Sequence, residues 1–149
     1  MITKELQSLF IRDLTKLKTE IEAYRDEKTV WKTDKDILNS AGNLCLHLVG
    51  NLNTYIGAQL GNSGYIRQRD LEFSLKDLPG SELVGQIEKT MEMILFSFGK
   101  LTEEDLKKEY PIEPLGYKMT TGYFLIHLLG HLNYHLGQVN YHRRLLDAL

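Results

Sequence analysis

Four of the chain's five histidines fall in one segment, "HLLGHLNYHLGQVNYHRRLL", which runs from His127 to Leu146. Imidazole nitrogens are good ligands for divalent transition metals, provided that several of them can reach one point. On a helix, at about 100° per residue, His131 and His135 project about 40° apart and one turn apart along the axis. Both rings therefore address one point, which is why His-x-x-x-His on a helix binds metal in other proteins. Phe124, His127, Gln138 and His142 share the same arc of about 80°. The stripe is expected to point inward, because the nearby Leu128, Leu132 and Leu145 need burial, while Asn133, Asn140, Arg144 and Asp147 gather on the other side. A buried imidazole without a partner costs about 1–3 kcal/mol, and one shared cation satisfies several at once.

Two imidazoles hold a divalent ion weakly, so a third ligand must come from elsewhere in the chain. His47 is the one histidine outside the segment. It lies between Leu44 and Asn51 on the apolar face of an earlier helical stretch, and facing helices in a bundle can aim such ligands at one point in the core. Taken alone, a single inward histidine is more often a hydrogen-bonded core residue. With the pair, His47, His131 and His135 make a three-nitrogen site with an open position, the arrangement of catalytic rather than structural zinc. His127 is the substitute for either member of the pair, or a supporting donor. His142 is expected near the end of the helix and exposed. Cys45 stands about 200° round the helix from His47, so both cannot face one ion, and it reads as a small core or interface residue. The inward stripe of the last segment carries no Asp or Glu, which argues against a di-iron carboxylate centre. Imidazole suits zinc, nickel, copper and iron alike.

The elements that must position these residues are helical. Leu6, Phe10, Leu14, Leu17, Ile21 and Tyr24 recur at steps of three and four and predict a first helix. "DEKTVWKTDKD" then reads as a polar connection centred on Trp31. A second helix is expected over residues 36–59, with Ile37, Ala41, Leu44, Leu48, Asn51 and Tyr55 inward. "GNSGYIRQRDLEFSLKDLPGS" shows no clear helical period, and connections of that length often line a site. A third helix is expected over residues 79–99, with Pro79 in its first turn and Leu83, Ile87, Met91, Ile94, Leu95 and Phe98 inward. Thr102 caps a short turn in "LTEEDLKKEY", and Thr120 or Thr121 opens the last helix. Gly130 and Gly137 sit on one side of that helix and would permit close approach of another. Tyr123, Tyr134 and Tyr141 adjoin the histidines and read as core or dimer packing. Four long amphipathic helices without a convincing strand predict an all-α, four-helix bundle.

The bulk properties narrow the functions. The chain of 149 residues suits one domain, residues 1–149, with a single core. A net charge of −2 gives no footprint for nucleic acid or an anionic membrane. No apolar run reaches the roughly 18–20 residues of a membrane span, and the N-terminus lacks the apolar core of a signal peptide. Cys45 is the single cysteine, so no intrachain disulfide forms and a cytoplasmic location is expected.

"NLCLHLVGNLNTYIG", with His47, and "HLNYHLGQV", with His131, His135, Gly137 and Gln138, resemble the corresponding helices of the DinB-like (DinB/YfiT) superfamily of metalloenzymes. "YIRQRDLEF" resembles the arginine-rich, acidic connection of many members. The likeness spans essentially the whole chain, and it differs at Leu136, where many relatives carry arginine directly after the second histidine of the pair. It implies an up-down-down-up four-helix bundle, often a homodimer, with His47, His131 and His135 around a divalent metal. It also implies transfer of a low-molecular-weight thiol such as bacillithiol to electrophiles, with zinc or nickel holding the sulfur as thiolate. On that expectation Arg67 and Arg69 would receive carboxylates of the thiol, or else remain solvated loop charges. Trp31 would cover the entrance or simply pack, and Asn51, Gln138 and His127 would support the ligands or line the substrate pocket. The rival expectations are a metal-dependent hydrolase and a non-catalytic, metal-stabilised dimeric or ligand-binding module.

Overall fold

The structure, a computed structural model, describes residues 1–147. Helix α1 (Ile2–Glu22) buries Leu6, Phe10, Leu14, Leu17 and Ile21, the stripe read from the sequence. Helix α2 (Ala41–Leu52) opens where the Ser40 hydroxyl accepts the Asn43 N–H, satisfying a donor that the first turn leaves free. It continues through a π-helical turn (Asn53–Ala58) into α3 (Gln59–Gly61), and Asn62, with φ of 55°, ends it in the left-handed region. A short α4 (Arg69–Ser74) precedes α5 (Gly80–Gly99). A reciprocal capping box between Thr102 and Asp105 starts α6 (Glu103–Lys107). The Thr120 hydroxyl accepts from the Tyr123 N–H and starts α7 (Thr121–Leu146), the longest element. Among the described residues there is no strand, only an isolated bridge between Glu109 and Thr120. No helix among them is long and apolar enough to cross a membrane.

Cross-helix contacts set the directions of the long segments. Asp13 accepts from Asn133, Glu20 from Asn140 and Arg143, and Asp147 from the Arg25 N–H, so α1 and α7 run the same way. Phe10 meets Phe98, Lys18 meets Glu88, and Glu27 accepts the Gly80 N–H, so α5 runs against α1. Asn53 bonds Thr90 while Gly61 lies against Ser97, so α2–α3 runs with α5. One core joins all four segments, from Phe10 and Leu14 to Leu48, Ile87, Phe124 and Leu128.

Several boundaries and faces differ from expectation. Helix α2 starts at Ala41 rather than at residue 36, because Ser40 provides the cap and residues 32–39 stay outside the helix. The stretch read as a polar connection holds a 3₁₀ turn, Glu27–Trp31, whose last three residues are buried. Trp31 packs against Gly42, where any side chain would overlap the indole, and donates its Nε1–H to the Leu78 carbonyl. The aperiodic stretch contains α4. Leu95 is half exposed, because Ile94 takes the inward position and the next residue turns about 100° away. Leu145 is exposed and His142 buried, the reverse of both expectations. The His142 ring is held at Nδ1 by the Tyr24 hydroxyl, 2.7 Å, and its Nε2 donates to the Lys32 carbonyl, 2.8 Å, so its polarity is satisfied inside the fold.

Candidate metal centre

Three histidines converge, and they are the three that the spacing singles out. His47 comes from the middle of α2, and His131 and His135 from successive turns of α7, which runs antiparallel to it. The Nε2 of His131 lies 3.3 Å from that of His47 and 3.1 Å from that of His135. One nitrogen of each ring lies within 4.8 Å of the other two, a group that can hold a metal ion.

The rear nitrogens decide which way the lone pairs face. His47 Nδ1 stands 3.1 Å from Glu72 Oε1 on α4, and a carboxylate can only accept, so Nδ1 carries the hydrogen and Nε2 the lone pair. His135 Nδ1 stands 2.6 Å from Gln138 Oε1, one turn on, and donates likewise. Both free lone pairs therefore aim at His131 Nε2. A hydrogen there can serve only one of them, whereas a cation serves all three rings. The donor set also fits by distance: Nε2 atoms about 2.0–2.1 Å from a tetrahedral zinc would be about 3.3 Å apart.

Burial disfavours the charged forms of His131 and His47. His131 is pushed down to about 4, first by burial and then by the neighbouring His135, His47, His127 and Arg67. Its Nδ1 is buried without a partner among the described residues, as is Asn51 Oδ1 one turn beyond His47. His47 is lowered too, chiefly by burial, with Glu72 opposing the shift. Neutral imidazole is the ligating form, so acid competes with metal only after these protons bind. An unfolded-chain imidazole takes a proton near pH 6.5, whereas His131 in the folded metal-free protein refuses one until about 4. The stability due to His131 is thus fully present above about pH 6.5 and is lost as pH falls towards 4. Chelator-treated protein is expected to melt progressively lower across that window, and less steeply in a His131→Ala variant; equal slopes would contradict it.

Glu72 is the residue that sequence reasoning did not single out. It is buried and is gripped by Arg67 through Nε at 2.8 Å and Nη2 at 3.0 Å, so Arg67 spends its charge inside the fold. The carboxylate presses on α2 at Gly50, where an added Cβ would fall 2.6 Å from Glu72 Cδ and closer still to Oε2. A glycine one turn after a histidine was the only sequence signal of this close approach. Of the other expected residues, Arg69 is exposed over the Phe73 ring and His127 is exposed, stacked on Phe124. Cys45 is fully buried, its thiol pushed up to about 12 by burial, and takes no part.

A pocket of about 410 Å³ opens beside His135 and Gln138, walled by Asp36, Leu38, Leu44 and Tyr141. A larger, shallower groove of about 750 Å³ runs between α1 and α7 and touches none of the three histidines.

The site and fold together define an all-helical protein with a three-histidine cluster able to take a divalent ion. Residues 4–148 match the model of the family described as "Protein of unknown function (DUF1572)", and the chain belongs to that family. Neither the curated proteins nor the solved structures gave a match.

Proposed function

We propose that the protein is a metal-dependent enzyme of the DinB-like superfamily, an up-down-down-up four-helix bundle that transfers a low-molecular-weight thiol to electrophiles. The observation that carries this is the convergence of three Nε2 atoms, two of them aimed by partners at the rear of their rings. His47, His131 and His135 would hold zinc or nickel. Such an ion, when bound with an open position, keeps a coordinated thiol deprotonated at neutral pH, and only the thiolate is nucleophilic. The directions of α1, α2, α5 and α7 support the bundle topology.

The protein's own residues do the positioning. Glu72 orients His47, and Gln138 orients His135, the support that usually changes metal affinity by about 10–100-fold when lost. The pocket beside His135 offers Leu38, Leu44 and Tyr141 to an apolar electrophile. Arg69, exposed at the start of α4, would meet a carboxylate of the thiol. Hydrolysis is less well supported. It needs a general base within reach, and the carboxylate at the cluster, Glu72, is already bound by Arg67 and His47.

The test is loss of free thiol when the metal-loaded protein meets bacillithiol, glutathione or cysteine with an aryl halide. At least one thiol should be consumed many-fold faster than with His135→Ala. Silence with all three would leave a non-catalytic, metal-binding module.

A further inference from the structure

Three of the large apolar side chains that the fold leaves in water meet at one opening. Leu38 (86% exposed), Tyr141 (62%) and Leu145 (65%) all border the pocket of about 410 Å³ beside His135. Exposed apolar residues scattered singly are ordinary, whereas a group around one cavity marks a place where a ligand is received. Leu38 differs from the other two in its support. Tyr141 and Leu145 stand on α7, whereas Leu38 belongs to residues 32–40, which join the 3₁₀ turn to α2 outside any helix.

The ends of this strap are fixed and its middle is not. At one end the Lys32 carbonyl accepts the His142 Nε2–H at 2.8 Å, and the Tyr24 hydroxyl holds the other ring nitrogen. Both nitrogens of His142 are thus taken, so the ring pins the strap and has none left for a ligand. At the other end Ser40 is fully buried as the cap of α2. Inside the strap there is one hydrogen bond, from the Ile37 N–H to the Asp34 carbonyl at 2.9 Å. Asp36, Leu38 and Asn39 are exposed around it. A segment with anchored ends and few contacts in its middle shifts at little cost.

We propose that this strap is a lid over the pocket and that Leu38 determines specificity, closing on an uncharged apolar ring laid against Tyr141. The inference rests on the reading of the pocket as the electrophile's site, and names what that site selects. Folding Leu38 onto such a ring takes apolar surface of both out of water. Leu44, buried, supplies the apolar floor beneath it. Charge gives a second criterion. The Asp36 carboxylate borders the pocket, and no Lys or Arg is among its described lining residues. An anionic ring would meet repulsion there with nothing to offset it, which is how a site rejects a near-isostere.

Trp31, the single tryptophan, immediately precedes the strap and reports on it without a label. In metal-free protein with no thiol added, neutral dinitrobenzene should quench its fluorescence saturably. Dinitrobenzoate should bind at least about 5-fold more weakly, and Asp36→Asn should remove most of that difference. Leu38→Ala, a change at an exposed position, should weaken dinitrobenzene about 10-fold. Trypsin should cut the exposed strap after Lys35, and saturating dinitrobenzene should slow that cut by at least about 5-fold. Quenching that never saturates, equal affinity in the parent and Leu38→Ala, equal affinity for the two rings, or cleavage indifferent to the probe would each overturn the proposal. Neither metal nor thiol takes part, so a protein that selects rings in this way yet consumes no thiol would keep its lid and lose the proposed reaction.

Discussion

A His131→Ala variant is expected to purify folded and nearly free of divalent metal, and the parent with about one ion per chain. His131 is the middle of the three histidines, its Nε2 being 3.3 Å from that of His47 and 3.1 Å from that of His135, so its loss leaves the outer pair without the nitrogen that links them. If four-ligand zinc sites bind with about 10–16 kcal/mol, one ligand accounts for roughly 3–4 kcal/mol, or a fall of about 10²–10³ in affinity. The fold should not follow. His131 is half-buried, its Nδ1 finds no partner, and its charged form is held off until about pH 4, so alanine removes strain as well as contacts. Elemental analysis and thermal melts with and without chelator check this. Added zinc should raise the melting point of the parent, by linkage, and leave the variant unmoved. Full metal retention in His131→Ala would remove the centre. A variant that unfolds while the chelated parent stays folded would mean that the imidazole serves packing rather than ligation.

The three histidines that converge were legible in the sequence because helix geometry is local. Residues four apart share a face whatever surrounds them, so His131 and His135 could be paired without knowing the fold. His47 followed from its place on an apolar stripe. The buried stripe of α1 was legible for the same reason. Contacts made across the chain were not. Glu72 lies in a stretch without periodicity, and only the folded backbone brings it to His47 and Gly50. The fates of His127 and His142 were exchanged because contacts from the other segments, not position on the arc, decide burial. Tyr24 and Lys32 reach His142, whereas no helix covers His127. Leu145 and Leu95 show the converse limit: apolar character announces a need for burial, and need not be met within one chain.

Gly50→Ala, a change of one methyl group, should be among the most damaging single substitutions in the protein. The backbone at Gly50 is ordinary helix, and alanine there would by itself favour the helix by about 0.8–1.0 kcal/mol. The opposing effect is steric and electrostatic. The new methyl would occupy the space of the Glu72 carboxylate, which cannot move aside without leaving Arg67 and His47. Both the Glu72 and Arg67 side chains are largely buried, at 7% and 15% exposed, and breaking a buried pair costs about 3–5 kcal/mol. That exceeds the helix gain, so the net effect is a loss of about 2–4 kcal/mol. His47 would also lose the acceptor that fixes its Nδ1–H, and metal affinity should fall about 10–100-fold. Gly85→Ala supplies the contrast, because nothing lies within 4 Å of a Cβ built there in the middle of α5. It should stabilise by about 0.5–1 kcal/mol and leave metal binding unchanged. Urea titration of both variants, with metal content measured on the same samples, reads the two signs directly. A Gly50→Ala protein as stable and as metal-replete as the parent would show that Glu72 does not hold His47 in place.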